Sequence, residues 1–271
     1  MSLDEASLSL GELYTILTNK MGKGKKGSLV AIIKGTLIKD ILAVLEMLPI
    51  EKRKEVKEVT LDMANNMESA ARQAFSEAKL VTDRFHVIKL GMDALQHIRI
   101  KYRWEELDIE NNAIELAKEQ RKKYKSIELE NGDTPKQLLA RCRYIIAKNP
   151  NEWTTNQQKR ASLLFNRYPT LQTAYKHILE FRSIYELTDV SEAKQRFIEW
   201  IAKTNELKIK EFNSVANTVK NNFNNILNFF LRRHTNANAE SFNAKIKLFR
   251  ANLRGVTDTK FFLFRLQNLY A

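Results

Sequence analysis

The 271-residue chain has little of several residue types, and each scarcity excludes a class of structure. Its single cysteine, Cys142, excludes an internal disulfide and a cysteine-based zinc site, and the helical pattern around it predicts a buried or half-buried small side chain. Only 8 glycines and 4 prolines argue against a loop-rich or disordered chain. No apolar run approaches the roughly 20 residues of a membrane span. The first residues also lack the basic and apolar regions of a signal peptide. We therefore expect no membrane partner and a reducing, cytoplasmic location.

Acidic residues are also under-represented relative to basic ones. The chain has 32 Asp and Glu against 45 Lys and Arg, which gives a formal net charge of +13. That balance favours a polyanionic partner, nucleic acid before membrane, although a merely basic protein would have the same charge. At 44% hydrophobic residues, the chain can bury a core in one large or two small domains.

The first third of the chain has a mixed α/β pattern. Residues 13–20 and 28–35 are rich in β-branched and apolar side chains, and a Gly- and Lys-rich turn separates them, so they predict a hairpin with a basic tip. Apolar spacing then predicts alternating helices and strands: helix 36–49, strand 57–63, helix 65–78 and strand 79–83. In such an order the later strands run parallel.

From His86 onward the sequence is helical almost throughout. Asp133-Thr134-Pro135 and Thr154-Thr155 are typical helix starts, whereas Asn149-Pro150 and Tyr168-Pro169 are typical breaks. The pattern predicts an all-helical block from about residue 90 to 230, followed by a last helix and a short tail.

Three aspartates occur on the predicted strands. Asp4 lies at the start of the first possible strand, and Asp62 and Asp83 each end an apolar strand. A carboxylate at the end of a buried strand is costly unless it is paired or holds a cation. Each aspartate can instead cap the next helix, but three in one small sheet favour a shared cation.

A fourth carboxylate, Glu240, lies within a strongly basic run at residues 232–255. It can supply the third ligand of a hard-cation site while Lys245, Lys247 and Arg250 hold a DNA backbone. Helical spacing places Glu240, Asn243 and Lys247 on one face. The alternative is a solvated glutamate paired with a lysine.

His86 follows Asp83 by three residues. A histidine at this place can be a metal ligand, a proton carrier or a hydrogen-bonded buried residue, and the last is the commonest beside Phe85 and Val87. The other histidines, His97, His177 and His234, have no acidic or histidine partner at ligand spacing.

Four segments resemble one known family in the correct order. They are "SLDEASLSLGELYTILTNK", "VTLDMANNM", "VTDRFHVIKL" and "NANAESFNAKIKLFR" with "RGVTDTKFFLFRL" behind it. Together they are similar to the catalytic half of bacterial insertion-sequence DDE transposases of the ISL-three family. The resemblance covers essentially the whole chain and is least specific in the helical block.

The resemblance implies a fold and a division of the chain. The fold is a ribonuclease H-like mixed α/β sheet interrupted by a large all-α insertion. Residues 1–90 then form the first part of the core, residues 91–232 the insertion, and residues 233–271 the C-terminal helix that completes the core.

The resemblance also implies site residues. The catalytic and metal-binding residues are Asp4, Asp62 and Glu240, and Asp83 with His86 matches a supporting (C/D)-x-x-H mark. Asp62 is preferred to Asp83 as the second aspartate because its strand is expected beside the first. Phosphate contacts are expected from the hairpin tip and the terminal helix: Lys23, Lys25, Lys26, Asn243, Lys245, Lys247, Arg250 and Arg254.

The implied reaction is metal-dependent cleavage and transfer of DNA strands at element ends, with two Mg²⁺ or Mn²⁺ ions. The implied partners are terminal-repeat and target DNA, and a homodimer or larger assembly on that DNA. Family members usually carry an N-terminal DNA-recognition region before the first aspartate. Asp4 is close to the start of this sequence, so we expect either a separate end-recognition protein as a partner or a trimmed or decayed copy of the transposase. The alternatives are a nuclease of the same fold, which cuts without joining, and a catalytically inactive DNA-binding remnant.

Overall fold

A computed structural model describes residues 1–8, 11–233, 235–253 and 258–271. The chain forms two compact units, one of residues 1–87 with 221–271 and the other of residues 88–220. The domain limits expected from the resemblance, at residues 90 and 232, stay a prediction.

The first unit is built on a five-stranded mixed sheet with the strand order β3-β2-β1-β4-β5. The strands are β1 (Ser2–Ser7), β2 (Leu13–Thr18), β3 (Leu29–Lys34), β4 (Glu58–Leu61) and β5 (Lys79–Thr82). The β1–β2 and β2–β3 pairs are antiparallel, whereas β1–β4 and β4–β5 are parallel. The predicted hairpin, the parallel later strands and the place of β4 beside β1 are therefore confirmed.

Helices cover both faces of this sheet. Those of the first unit are α1 (Ile38–Leu45), α2 (Ile50–Glu55), α3 (Asn65–Ala74), α10 (Phe223–Leu227), α11 (Phe229–Arg232), α12 (Ala237–Asn252) and α13 (Thr259–Tyr270). Alternate residues of a strand point to opposite faces, so β1 sends Leu3 into a core with α1 and α3 and Ala6 into a core with α12 and α13. The second core holds Phe242, Ile246 and Phe262.

The second unit is helical in its described residues. Its helices are α5 (Pro135–Arg141), α6 (Thr155–Arg167), α7 (Pro169–Ile184), α8 (Val190–Leu207) and α9 (Lys210–Asn221), and it holds most of α4 (Arg84–Glu119). The predicted starts at Thr134 and Thr154 are confirmed, because both residues are helix N-caps whose amides donate to the glutamine three residues later.

Aromatic residues fill the core of the second unit. The ring of His177 stacks on Trp200 with centroids 4.5 Å apart, and its Nε2 lies 2.7 Å from Thr204 Oγ1. Phe181 and Phe212 pack against the same pair. Burial lowers the pKa of His177 to about 4, so this histidine is a neutral core residue. Cys142 is also fully buried, as predicted, and burial raises the pKa of its thiol to about 12.

Residues 210–233 have a continuous helical apolar period, but the structure divides this segment into the three helices α9, α10 and α11. Asparagine is frequent there, and its side chain competes for backbone hydrogen-bonding groups. Asn228 donates to Leu80 O at 2.8 Å, and Asn225 donates to Glu68 Oε1 at 3.0 Å. These tertiary hydrogen bonds outweigh the helical period.

In the part of the chain that the structure describes, no helix combines the length and the apolar character needed to cross a membrane.

Candidate functional site

Asp4 and Asp62 are neighbours through strand register. Ser2 lies opposite Thr60 in the parallel β1–β4 pair. Two residues further in the direction of both strands, Asp4 therefore lies beside Asp62. Ser2 and Asp4 point to the α12 face, since Ser2 Oγ donates to Asn236 Oδ1 at 2.7 Å. Parallel partners share a face, so this register directs both carboxylates towards α12.

Asp83 extends the row by one strand. Leu61 pairs with Thr82 across β4 and β5, and the amide of Asp83 donates to Leu61 O at 2.9 Å, which continues the ladder past the strand end. Asp4, Asp62 and Asp83 therefore follow one another across β1, β4 and β5, and we call these three residues the acidic row. The sequence predicted carboxylates at strand ends; β1 in fact continues beyond Asp4 to Ser7.

Helix α12 brings further polar groups to this row. Glu240 lies in its first turn, and the Glu240 amide donates to Asn236 O at 2.8 Å. Asn243, one turn later, donates from Nδ2 to Asp4 Oδ2 at 2.7 Å in a buried contact. Asn243 thus positions the Asp4 carboxylate, and its own Oδ1 is buried without a partner in the described structure.

The environment of Asp4 disfavours its negative charge. The residue is 9% exposed, and burial raises the pKa of its carboxyl, as do the charges of Asp62 and Glu240. The amide of Glu5, 2.8 Å from Asp4 Oδ1, and the charge of His86 act in the opposite direction. A divalent cation at this place would relieve the repulsion among the carboxylates.

A second grouping joins Asp83, His86 and Glu240. One ligand atom from each lies within 4.8 Å of the others. His86 is in the first turn of α4, and Asp83 directly precedes that helix. The sequence predicted supporting roles for Asp83 and His86, and a ligand set of Asp4, Asp62 and Glu240. That set stays a prediction, and Glu240 belongs to both groupings.

The helix-capping alternative is realised in part. Asp62 Oδ1 accepts from the Ala64 amide at 2.9 Å, just before α3, and Asp83 Oδ1 accepts from the Phe85 amide at 3.4 Å. Each bond uses one carboxylate oxygen, so these contacts leave the other oxygen for a further ligand.

The predicted phosphate contacts fall into two groups. Five lysines are exposed: Lys23, Lys25 and Lys26 at the hairpin tip, with Lys245 and Lys247 on α12. Lys245 Nζ donates to Gly24 O at 3.3 Å, which joins the helix to the tip. We call these five residues the lysine surface.

Arg250 and Asn243 are placed differently. Arg250 is 4% exposed, its guanidinium forms a 3.2 Å ion pair with Glu12, and it lies 4.9 Å above the ring of Phe262. Asn243 is likewise buried against Asp4. Arg254 lies outside the described residues.

The sequence contained a signal for this burial. Asn236, Asn243 and Arg250 recur at intervals of seven, in phase with the apolar residues Phe242 and Ile246. This spacing identifies the face of α12 that packs on the sheet.

The acidic row, its mixed sheet and the C-terminal helix agree with a match to known proteins. A family model described as transposase, of the DDE type with the designation ISL3, matches residues 1–266. The chain belongs to the ISL-three (ISL3) family of DDE transposases. The expected family is therefore confirmed.

One relative in this comparison is the transposase for insertion sequence element IS1001 of Bordetella parapertussis. It is 21% identical over 270 residues, which cover 98% of this chain and 60% of the relative. The chain thus spans about three fifths of the length of this transposase. No solved structure matches the chain.

Proposed function

We propose that this chain is the catalytic core of a DNA transposase with a ribonuclease H-like fold, which cleaves and joins DNA strands at the ends of an insertion sequence. The proposal rests above all on Asp4 and Asp62 side by side on parallel strands, with Glu240 close enough to act on the charge of Asp4. Family membership, the strand order and the mixed pairing support it.

The proposed cofactor is a pair of Mg²⁺ or Mn²⁺ ions held by Asp4, Asp62 and Glu240. Hard divalent cations take oxygen ligands, and two of them can stabilise the attacking and leaving oxygens of a phosphodiester. The residues fit such ions, because Asp4 is a buried carboxylate near two others and lacks a basic ion-pair partner among the described residues. Asn243 fixes the orientation of the Asp4 carboxylate.

The lysine surface is proposed to hold the DNA backbone. Exposed lysines contact phosphates without regard to sequence, which supplies affinity and registers the strand over the acidic row. Asn243 and Arg250 are left out of this surface, because both are buried and already engaged with the protein.

Further partners follow from the family. Terminal-repeat and target DNA are the proposed substrates, and a homodimer or larger assembly on DNA is the proposed active form. A separate end-recognition protein remains a proposed partner. These proposals concern a whole transposase, and this chain spans about three fifths of the length of the relative.

The test uses short DNA duplexes from the regions that flank the coding sequence, with free 3′-hydroxyl ends, and a supercoiled plasmid as target. We expect metal-dependent joining of a duplex to the plasmid. Cleavage without joining would instead indicate the nuclease alternative. DNA binding with neither activity, in Mg²⁺ or Mn²⁺, would indicate the inactive remnant.

The matched control is Asp62→Asn, which removes the charge and keeps the size and the acceptor for the Ala64 amide. We expect this variant to fold and to bind DNA but to lose joining by at least about 100-fold, as for the loss of a catalytic electrostatic group. Retained joining would contradict the assigned role of Asp62.

A further inference from the structure

We propose that Asp83, His86 and Glu240 form a second metal site, which binds a transition-metal cation such as Mn²⁺ through the imidazole of His86. The inference rests on the proposed function in one respect, since it shares Glu240 with the proposed catalytic set. It differs by adding a nitrogen ligand and by giving Asp83 and His86 a direct role in binding.

Geometry is the first support. One ligand atom from each of the three side chains lies within 4.8 Å of the other two. Ligands about 2.1 Å from a common ion are about 3 to 4 Å apart, so side-chain movements of less than about 1 Å would bring all three onto one cation.

The second support is that the three side chains do not satisfy one another. In the described part of the chain, neither a hydrogen bond nor an ion pair joins any two of them, although they are close. His86 makes an edge contact with the ring of Phe85, at 5.9 Å between centroids, and its charge acts on Asp4. The space between the three groups is therefore suited to an ion.

The burial of Asp83 is the third and independent support. This residue is 1% exposed, yet its side chain accepts only the 3.4 Å bond from the Phe85 amide within the described structure. Lys20 acts on it only at a distance, because the Lys20 ammonium pairs with Glu58. A buried carboxylate without a close cation is costly, and a metal ion in the cluster would remove that cost.

The three ligands also come from fixed points of the fold. Asp83 is held by the hydrogen bond that continues the β4–β5 ladder, His86 by the first turn of α4, and Glu240 by the first turn of α12. Regular elements keep the backbone separation of the three residues fixed, so small side-chain movements are enough to close the site on an ion.

Ligand chemistry then predicts which ion is preferred. Mg²⁺ favours an all-oxygen environment, whereas an imidazole nitrogen favours Mn²⁺ and the later transition metals. Two carboxylates and a neutral imidazole balance a charge of +2. We therefore expect Mn²⁺ to bind here more tightly than Mg²⁺.

The test measures bound Mn²⁺ by electron paramagnetic resonance on the metal-stripped full chain without DNA. For the parent chain we expect an electron spin-echo modulation from a nitrogen bound directly to Mn²⁺. In His86→Gln we expect this nitrogen signal to disappear and the protein to bind one equivalent of Mn²⁺ less. Glu240→Gln, which keeps the imidazole, should weaken binding at this site at least about tenfold. His97→Gln is the matched control, because His97 is exposed on the same helix; it should keep the nitrogen signal.

Each outcome is decisive for the second site. A nitrogen signal that disappears only with His86 supports it, whereas no nitrogen signal, or one that persists in His86→Gln, overturns it. Circular dichroism of His86→Gln verifies folding, and Glu240→Gln gives a second measure if that variant unfolds. The measurement needs no DNA, so failure of strand joining would overturn the proposed function and leave this result unchanged.

Discussion

Asp4 is the residue at which burial, charge and hydrogen bonding meet. Its carboxylate accepts from the Glu5 amide and from Asn243, and it is near the charges of Asp62 and Glu240. Because burial raises its pKa, the folded chain binds its proton more strongly than the unfolded chain does. Ionisation of Asp4 therefore lowers stability as the pH rises from the ordinary aspartate value, 3.8, through the raised pKa.

We predict that Asp4→Asn makes the metal-free protein more stable at neutral pH. The variant removes the buried charge, and a turned Asn243 amide can present its unpartnered Oδ1 to the new side chain. The free energy of urea unfolding in EDTA checks this, with Asp258→Asn as an exposed control. Adding Mn²⁺ should stabilise the parent chain more than the variant, and equal stabilisation of both would contradict the role of Asp4.

A second prediction concerns the Asn243–Asp4 hydrogen bond. Asn243→Ala should destabilise the chain by about 1 to 3 kcal/mol, because the buried Asp4 carboxylate keeps the Glu5 amide but loses its side-chain donor. In an Asp4→Asn background the same change should cost less. Urea unfolding of the parent, the two single variants and the double variant gives the coupling energy between the two residues. Strictly additive changes in the free energy of unfolding would show that the hydrogen bond contributes nothing.

At the scale of elements, one face of α12 is buried against the sheet and the other is exposed. Its buried face carries Asn243, Phe242, Ile246 and Arg250 onto the sheet, while Lys245 and Lys247 stay exposed. Charge alone does not distinguish Arg250 from these lysines, but its partners Glu12 and Phe262 do.

We predict opposite effects for the two kinds of cation. Replacing Lys23, Lys25 and Lys26 by alanine should leave the free energy of unfolding unchanged. It should reduce the slope of log K for DNA binding against log salt concentration by up to about 0.9 for each phosphate that is no longer neutralised. Arg250→Ala should instead destabilise the chain by about 3 kcal/mol, because it breaks a mostly buried ion pair. Filter binding across a salt series and urea unfolding separate the two; unaltered stability of Arg250→Ala would refute this assignment.

Within the second unit, α4 and α7 approach closely at Gly91. A Cβ added there would lie 2.3 Å from Ile178 Cδ1. We predict that Gly91→Ala destabilises this unit by about 1 to 3 kcal/mol through overpacking. Ile178→Val removes that methyl group, so in its background Gly91→Ala should cost much less or even stabilise the helix. Thermal unfolding of the parent, the two single variants and the double variant tests this. An equal destabilisation by Gly91→Ala with Ile178 and with Ile178→Val would exclude the steric cause.

At the scale of the whole molecule, the candidate metal ligands belong to one unit. Asp4, Asp62, Asp83, His86 and Glu240 all lie in residues 1–87 and 221–271. An ion that binds the folded site stabilises the structure around it in proportion to the logarithm of its concentration over Kd.

Hydrogen exchange followed by mass spectrometry can localise this stabilisation. With Mn²⁺ we expect slower exchange in β1, β4, β5 and the first turns of α12, and little change in α7 and α8. Glu240→Gln is the control and should lose most of the protection. Equal protection of both units would argue against a local site in the sheet.

The sequence by itself determined the local structure and the candidates. Period-two and helical apolar patterns specify the hairpin, the alternating strands and the helix starts at Thr134 and Thr154, because these depend on near neighbours in the chain. Composition suggested a polyanionic partner, and the order of four motifs identified the family that the comparison later confirmed. Acidic residues at strand ends singled out Asp62 and Asp83.

Tertiary structure decided which of these residues meet. Asn243 bonds with Asp4, Arg250 pairs with Glu12, and Asp83 and His86 gather with Glu240. Each pairing joins residues from opposite ends of the chain, and it depends on the strand register and on the rotation of α12 over the sheet. The sequence pattern shows which residues share a face of one helix or strand. Only the packing of these elements decides which face is covered and which side chains contact it.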